Sequence, residues 1–271
     1  LKIYKNAKKP DYVKDMDDAF MIKDFRLFLD WYMPAALEKG LNAQQRHEFL
    51  DIIAGLLPMV AKVPSSLVLW DYHVNNVMLP ADGDDCGVID FQDAMWGPSL
   101  YDLSSLIEDE RRAIAPEVTA EMKEYFFANI SGVAREDFED AYAFSALLRH
   151  MRVIGRFTTL ITVSKKPRYA QYVPHALELL KKTLEYPKFA ALKHWLDENL
   201  PEARRTVPET KPISKAFVLA AGRGVRMGEL TNSLPKPLIE VNGKALIDYN
   251  FDKLKDAGIK DVVVNVCYKG R

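Results

Sequence analysis

Two short stretches decide the fold of the first part of this chain: Leu69-Trp70-Asp71-Tyr72-His73-Val74-Asn75-Asn76 and Val88-Ile89-Asp90-Phe91. In the first, the carboxylate of Asp71 stands five residues before the amide of Asn76. In the second, Asp90 follows a short apolar run. Short apolar runs bounded by turn residues predict small strands. We therefore expect two small strands that bracket a loop and bring two carboxylates and an amide together.

The types of these three side chains match the requirements of phosphoryl transfer. That reaction needs a carboxylate that positions and deprotonates a hydroxyl, together with oxygen ligands for Mg²⁺. Asp71 stands at the position of the base, while Asn76 and Asp90 offer oxygens to the metal. The structural alternative is that Asp71 caps a turn and Asp90 ends a strand. The spacing is that of a kinase catalytic loop and its metal-binding turn, which favours the functional interpretation.

Four polar residues near these stretches have two interpretations each. His73 either stacks in the catalytic loop or holds the loop by a hydrogen bond, and we favour the second role. Asp102 either stabilises a helix N-terminus or supports the catalytic loop. Glu108 and Asp109 either form a solvated helix face, which we favour, or bind sugar hydroxyls beside Asp71.

The rest of the first 200 residues is predominantly helical in pattern. Apolar residues recur at helical spacing, which predicts amphipathic helices. These helices are predicted near residues 17–33, 43–60, 100–114, 116–130, 136–163, 169–184 and 187–196. Residues 200–212 contain three prolines and five charged residues, a composition typical of a linker.

The pattern changes after residue 214. We predict a strand at residues 215–220, a glycine-marked loop at 221–237, a helix at 246–257 and a buried strand at 261–266. This order is the opening of a βαβ unit.

The glycine-marked loop carries a second set of candidate binding residues. Gly222 and Gly224 permit a tight turn that directs backbone N–H groups at phosphate, and Arg226 and Lys236 add positive charge. The alternative, an ordinary turn between a strand and a helix, explains less of the pattern. These four residues therefore predict a nucleoside triphosphate site.

The first part of the chain resembles the aminoglycoside phosphotransferase and choline kinase superfamily. Within it, the stretches 71–76, 89–94, 101–112 and 152–169 resemble the anomeric N-acetylmuramate/N-acetylglucosamine kinases. The resemblance covers residues 1–198 and corresponds to the C-terminal lobe of such a kinase. It implies Asp71 as catalytic base, Asn76 and Asp90 on Mg²⁺, and His73 and Asp102 as support of the loop. Leu69 and Gln92 depart from the family pattern, which has His and Gly at these positions.

The last part of the chain, residues 215–271, resembles the start of a sugar-1-phosphate nucleotidyltransferase, in particular N-acetylmuramate-1-phosphate uridylyltransferase. The resemblance implies that Gly222, Gly224, Arg226 and Lys236 bind UTP. The expected fold class is α+β: a mainly helical kinase-like lobe with a small β-hairpin at the catalytic loop, a linker at residues 199–214, and a truncated, Rossmann-like α/β opening.

Together the resemblances predict a bifunctional enzyme of amino-sugar salvage in peptidoglycan recycling. ATP and UTP would be substrates, Mg²⁺ the cofactor, and small sugars and nucleotides the partners. One alternative is a choline kinase fused to a phosphocholine cytidylyltransferase, and another is a non-catalytic binding or scaffold module. Because these resemblances place both chain ends inside domains, we expect the 271 residues alone to be inactive.

Composition and charge exclude several other classes of function. The net charge is −1, which provides no global field for nucleic acid or an anionic membrane. Two cysteines far apart fit a reducing cytoplasm. The longest apolar stretch, residues 141–163, is interrupted by charged side chains and is too polar to span a membrane.

Overall fold

The computed structural model describes residues 8–79, 86–208, 215–222, 224 and 227–266. The chain divides into two compact units, Leu1–Thr210 and Lys211–Arg271. The first unit is mainly helical and the second has a short α/β pattern, so the expected mixed α+β class is confirmed.

The first unit consists mostly of helices, with a π-helical segment, Phe28–Tyr32, between the first two. Its α-helices are α1 (Asp18–Leu27), α2 (Met33–Leu37), α3 (Ala43–Leu56), α4 (Tyr101–Ile107), α5 (Pro116–Asn129), α6 (Arg135–Thr162), α7 (Val173–Thr183) and α8 (Ala190–Asn199). Its 3₁₀ segments are Leu57–Val60, Val74–Asn76, Pro167–Tyr172, Pro187–Phe189 and Glu202–Arg204.

Helix α6 is the centre of this unit, and α1, α4, α7 and the π-helical segment all pack against it. Most of its residues are buried, including the polar side chains of Arg149 and His150. Gly155 lets the backbone of α1 come close, because a Cβ at this position would lie 2.3 Å from the carbonyl carbon of Leu27. The core therefore forms around one long helix that carries buried charged side chains among its apolar residues.

Two short antiparallel strand pairs flank the predicted catalytic loop. Strands β1 (Ser65–Val68) and β4 (Met95–Pro98) form one pair, and β2 (Val77–Met78) and β3 (Gly87–Val88) form the other. The loop after β1 and the loop after β3 consequently lie at the same end of the unit.

Three details of the first unit differ from the sequence predictions. The helix predicted at 100–114 ends at Ile107, where Glu108 leaves helical geometry. Strand β4 was not predicted, because its Gly97 and Pro98 favour turns by composition. The described part of the predicted linker packs on this unit: Val207 joins a small hydrophobic cluster, and Tyr32 donates a hydrogen bond to the carbonyl of Thr206.

The second unit contains a parallel strand pair and a hairpin. Strands β5 (Lys215–Leu219) and β8 (Asp261–Asn265) pair in parallel, and α10 (Leu246–Asp256) lies between them in sequence, as the βαβ pattern predicts. The hairpin turns at Asn242-Gly243, where both residues have positive φ. Its strands are β6 (Glu240–Val241) and β7 (Lys244–Ala245), and the remaining elements are α9 (Leu230–Ser233) and the 3₁₀ segment Lys236–Leu238.

We find no helix in the described ranges that is long and apolar enough to cross a membrane.

Candidate active site

Asp71 lies in a short loop directly after β1. The N–H of Asp71 donates to the carbonyl of Leu69 at 2.9 Å, and the N–H of Asn76 donates to the carbonyl of His73 at 2.8 Å. Trp70, just before Asp71, has φ of 71°. Positive φ is unfavourable for a bulky residue and persists only where the surroundings hold it. The loop is thus a tight, strained turn that presents the Asp71 side chain, which is 44% exposed.

Asp102, in the first turn of α4, holds this turn from behind. Its carboxylate accepts the N–H of Leu69 at 2.7 Å and the N–H of Trp70 at 3.2 Å. Burial raises the pKa of Asp102 to about 6, although these hydrogen bonds oppose the shift. These two hydrogen bonds support the backbone of the loop.

Asn76 and Asp90 lie next to each other at the other end of the loop. The amide Nδ2 of Asn76 donates to the carbonyl of Asp71 at 2.8 Å and lies 3.5 Å from Oδ2 of Asp90. Asp90 has φ of 63°, and Gln92 donates to its Oδ1 at 2.5 Å. Asp71, Asn76 and Asp90 are therefore connected through one network.

The Asn76–Asp90 pair fits a magnesium ion. Mg²⁺ is usually held by one or two carboxylates together with water and substrate phosphates. A carboxylate and an amide oxygen are ligand types that suit this pattern, although Asn76 directs Nδ2 and not Oδ1 towards Asp90 in this arrangement. Among the described residues, no group of three or more acidic, His or Cys side chains is arranged to hold a metal ion. A metal at this place would therefore depend on substrate phosphate for further ligands.

Two arginines of α6 lie beside Asp71. No role was predicted for them from the sequence. Nη1 and Nη2 of Arg152 lie 3.5 and 3.4 Å from Oδ1 of Asp71, and Nη1 of Arg149 lies 4.0 Å from the same oxygen. Burial would raise the pKa of Asp71, but Arg152, Arg149 and other nearby cations lower it below its usual value. Asp71 is thus an ionised carboxylate whose charge is already compensated by guanidinium groups.

Behind Arg149 lies a buried network of charges. Glu110 binds Arg149 at two points, 3.2 Å each, and His150 lies 2.9 Å from Glu108 and 3.5 Å from Glu110. Burial would raise the pKa of Glu110, but Arg149 and His150 lower it to about 2. Glu108 also accepts a hydrogen bond from Tyr142 at 2.5 Å.

The expectation that Glu108 and Asp109 form a solvated helix face is wrong. Asp109 is fully buried, and its oxygens accept the N–H groups of Val74 at 3.1 Å and Arg111 at 2.9 Å. These contacts favour support of the catalytic loop over contact with a sugar. Glu108 and Asp109 both line a cavity of about 610 Å³ whose wall does not include Asp71.

His73 is buried within the loop. Its Nδ1 has no hydrogen-bond partner among the described residues. Burial, followed by the charges of Arg111 and Arg149, lowers the pKa of His73. The hydrogen bond that we favoured for His73 is therefore not made by Nδ1, and the neutral imidazole supports the loop by packing inside it.

In the second unit, Gly222, Gly224 and Lys236 line a cavity of about 470 Å³. Gly224 has φ of 67°, and a Cβ there would lie 2.9 Å from Cβ of Lys236, so the close approach requires glycine. Arg226, the fourth residue predicted for this site, lies outside the described residues.

Known protein families match both parts of the chain. Residues 6–144, just over half of the chain, match the model of the phosphotransferase enzyme family, and residues 216–271 match that of the MobA-like NTP transferase domain. Both resemblances inferred from the sequence are confirmed.

Curated kinases are among the relatives of the first part of the chain. The N-acetylmuramate/N-acetylglucosamine kinase of Caulobacter vibrioides is 31% identical over 196 residues, 70% of this chain and 53% of the relative. This chain therefore spans about half the length of the curated kinase.

Curated nucleotidyltransferases are among the relatives of the last part of the chain. The N-acetylmuramate alpha-1-phosphate uridylyltransferase of Neisseria meningitidis serogroup B is 51% identical over 57 residues, 21% of this chain and 25% of the relative. The choline-phosphate cytidylyltransferase of Streptococcus pneumoniae is 46% identical over 54 residues, 20% of this chain and 24% of the relative.

Proposed function

Because the chain belongs to the phosphotransferase enzyme family, we propose that its first unit takes part in the transfer of the ATP γ-phosphate to the anomeric hydroxyl of N-acetylmuramate or N-acetylglucosamine. The single observation that carries this proposal is the network of Asp71, Asn76 and Asp90, which combines a candidate base with two candidate metal ligands. The name of the Caulobacter vibrioides relative supports the choice of acceptor.

Each residue of the network has a distinct role in this proposal. Asp71 accepts a hydrogen bond from the acceptor hydroxyl, orients it and takes its proton as the hydroxyl oxygen bonds to the γ-phosphorus of ATP and the bond from that phosphorus to ADP breaks. Asp102 and Asp109 hold the backbone on either side of Asp71. Asn76 and Asp90 hold Mg²⁺, which when bound neutralises charge on the phosphates.

The charges around Asp71 support a sugar rather than a cationic acceptor. Arg152 and Arg149 already compensate the carboxylate, so it is not available as a counter-ion for a quaternary ammonium or an aminoglycoside. Additional positive charge next to two guanidinium groups is electrostatically unfavourable. A neutral or anionic sugar meets no such penalty.

For the second unit, we propose transfer of the uridylyl group of UTP to the resulting sugar 1-phosphate, with release of pyrophosphate. The turn at Gly224 beside Lys236 and the uridylyltransferase relative support this step. The whole protein would then carry out two consecutive steps of amino-sugar salvage during peptidoglycan recycling in the cytoplasm.

A choline kinase joined to a phosphocholine cytidylyltransferase is the second candidate. The observation that favours it is the choline-phosphate cytidylyltransferase among the relatives of the last part. The guanidinium groups beside Asp71 argue against it, because a choline site requires aromatic or anionic walls.

Phosphorus NMR of the full-length protein with ATP and each acceptor decides between these candidates. We expect a sugar 1-phosphate from N-acetylmuramate or N-acetylglucosamine and little product from choline or an aminoglycoside. Efficient formation of phosphocholine would contradict the proposal and support the second candidate.

A further inference from the structure

Helix α1 presents two side chains, one helical turn apart, to the catalytic loop. The ring of Phe20 meets the ring of Trp70 edge-on, with centroids 5.0 Å apart. Oδ2 of Asp24 lies 3.1 Å from Nε of Arg152 in an ion pair without hydrogen-bond geometry. Residues four apart on a helix lie on the same face, so Phe20 and Asp24 approach the loop together.

Arg152 connects Asp24 to Asp71. Its Nε lies 3.1 Å from Oδ2 of Asp24, while its two Nη atoms lie 3.4 and 3.5 Å from Oδ1 of Asp71. The Arg152 side chain is only 13% exposed. Asp24 is buried too, and Arg152 pairs with both Asp24 and Asp71, so it links Asp24 to the candidate base.

Trp70 is held by the same set of side chains. Its ring stacks on Tyr101, with centroids 4.8 Å apart and planes 15° apart, and the guanidinium of Arg152 lies 4.0 Å from the Trp70 ring centroid. A tryptophan with positive φ requires such restraint from its surroundings. Because Trp70 precedes Asp71, any relaxation of Trp70 would move the carboxylate.

We propose that Asp24 is a positioning residue for Asp71: it fixes the guanidinium of Arg152 between the Trp70 ring and the Asp71 carboxylate. Phe20 restrains Trp70 from the same face of α1. This inference rests on the proposed kinase function for its kinetic consequences, while its structural consequence is independent of that function.

The kinetic test uses the full-length enzyme. We expect Asp24→Asn to lower kcat about 10- to 100-fold, as misplacement of a reacting group does, with KM for ATP and sugar changed less than about twofold. Asp18→Asn, on the exposed face of α1, is the matched control and should stay within about twofold of wild type. Loss of kcat in both variants, or in neither, would overturn the proposal.

A double-mutant cycle separates this role from general support of the fold. If Asp24 acts through Arg152, then Asp24→Asn should have little further effect on kcat in an Arg152→Gln background. Arg152→Lys, which keeps the charge, should retain more kcat than Arg152→Gln. Arg156→Gln removes an exposed charge one turn further along α6 and serves as control. Additive losses from Asp24→Asn and Arg152→Gln would contradict the proposal.

A second measurement does not depend on kinase activity. In the 271-residue chain, Asp24→Asn should make the amides of residues 69–76 exchange hydrogen severalfold faster, with α6 and α8 unchanged and Asp18→Asn without effect. Unchanged exchange in the loop would overturn the proposal. If the wild-type enzyme phosphorylates no acceptor, the proposed function fails, but this measurement still decides whether Asp24 holds the loop.

Discussion

Glu110 and Arg149 form a buried ion pair in which both Glu110 oxygens lie 3.2 Å from nitrogens of Arg149. Neither side chain is more than 1% exposed. Removing one partner of such a pair leaves an uncompensated buried charge, whereas replacing both by apolar residues of similar volume is often neutral.

We therefore expect Glu110→Met to lower the free energy of unfolding by about 3–5 kcal/mol, and the Glu110→Met/Arg149→Met double variant to lower it by less. Urea unfolding followed by tryptophan fluorescence measures this, because all four tryptophans lie within the first unit. Glu202→Met, which removes one partner of an exposed pair with Lys181, should change the free energy of unfolding far less than Glu110→Met does. A single variant as stable as wild type would show that the buried pair is unimportant for folding.

The stability of the first unit should depend on pH through His150. Burial alone would lower the pKa of His150, but Glu108 and Glu110 raise it to about 9. A folded-state pKa above the unfolded value of about 6.5 gives stability that is fully present below pH 6.5 and lost as the pH rises through 9.

The shift corresponds to about 3 kcal/mol of stability lost across this range. Unfolding midpoints at pH 6, 7.5 and 9 should therefore fall with pH in the wild type and change less in His150→Gln. His47→Gln, on an exposed face of α3, should leave the slope unchanged. A wild type without pH dependence in this window would mean that His150 is not charged in the folded state.

Gly155 is required where α1 crosses α6. A Cβ at residue 155 would lie 2.3 Å from the carbonyl carbon and 2.4 Å from the carbonyl oxygen of Leu27. Since backbone must move to make room, we expect Gly155→Ala to cost about 1–3 kcal/mol of stability. Gly55→Ala in α3, where nothing lies within 4 Å, should instead gain about 0.5–1 kcal/mol. Opposite signs in the two thermal melts are the expected result, and equal effects would contradict the crossing geometry.

Sequence patterns predicted most of the elements, but not strand β4 or the partners of the buried charges. The spacing from Asp71 to Asn76 and the later Asp90 predicted that these three residues lie close together. In the structure Asn76 contacts the main-chain carbonyl of Asp71 and the carboxylate of Asp90, while the catalytic and metal-binding roles of the three residues stay predictions. Arg149 and His150, by contrast, looked only like interruptions of an apolar helix.

Their carboxylate partners lie about 40 residues earlier in the chain. The charge pattern had predicted that this segment faces solvent. Local periodicity gives no information about which carboxylate a distant guanidinium will meet. A physical rule could have predicted that such partners exist, because cations on the buried face of a helix must have buried counter-ions. Glu108, just after α4, had been predicted to face solvent, and no role had been predicted for Glu110.

Replacing the candidate base tests the proposed reaction directly. In the full-length enzyme, Asp71→Asn should lower kinase turnover by about two to four decades, the usual range for loss of a general base. The nucleotidyl step should be unaffected, because the residues proposed for it belong to the other unit. Separate assays of sugar 1-phosphate and pyrophosphate formation check both halves. Equal loss of the two activities would indicate unfolding instead of a catalytic role.

The second unit should exchange its amide hydrogens faster than the first. Thr231 is the one buried residue among those that the structure describes between residues 215 and 266. Phe217, Leu219 and Val263, on the paired strands β5 and β8, are 60%, 81% and 57% exposed. A segment of this size that buries so little apolar surface has little free energy with which to hold its strands together.

In the 271-residue chain we therefore expect amides of Lys215–Leu219 and Asp261–Asn265 to exchange within minutes, and those of Arg135–Thr162 over hours. Hydrogen exchange with mass spectrometry measures both sets in one sample, so α6 is an internal control. The exposed strand faces would be covered if the second unit paired with another surface, and exchange would then slow with protein concentration. Protection equal to that of α6 at every concentration would show that this unit is stable by itself, contrary to what its exposed strands predict.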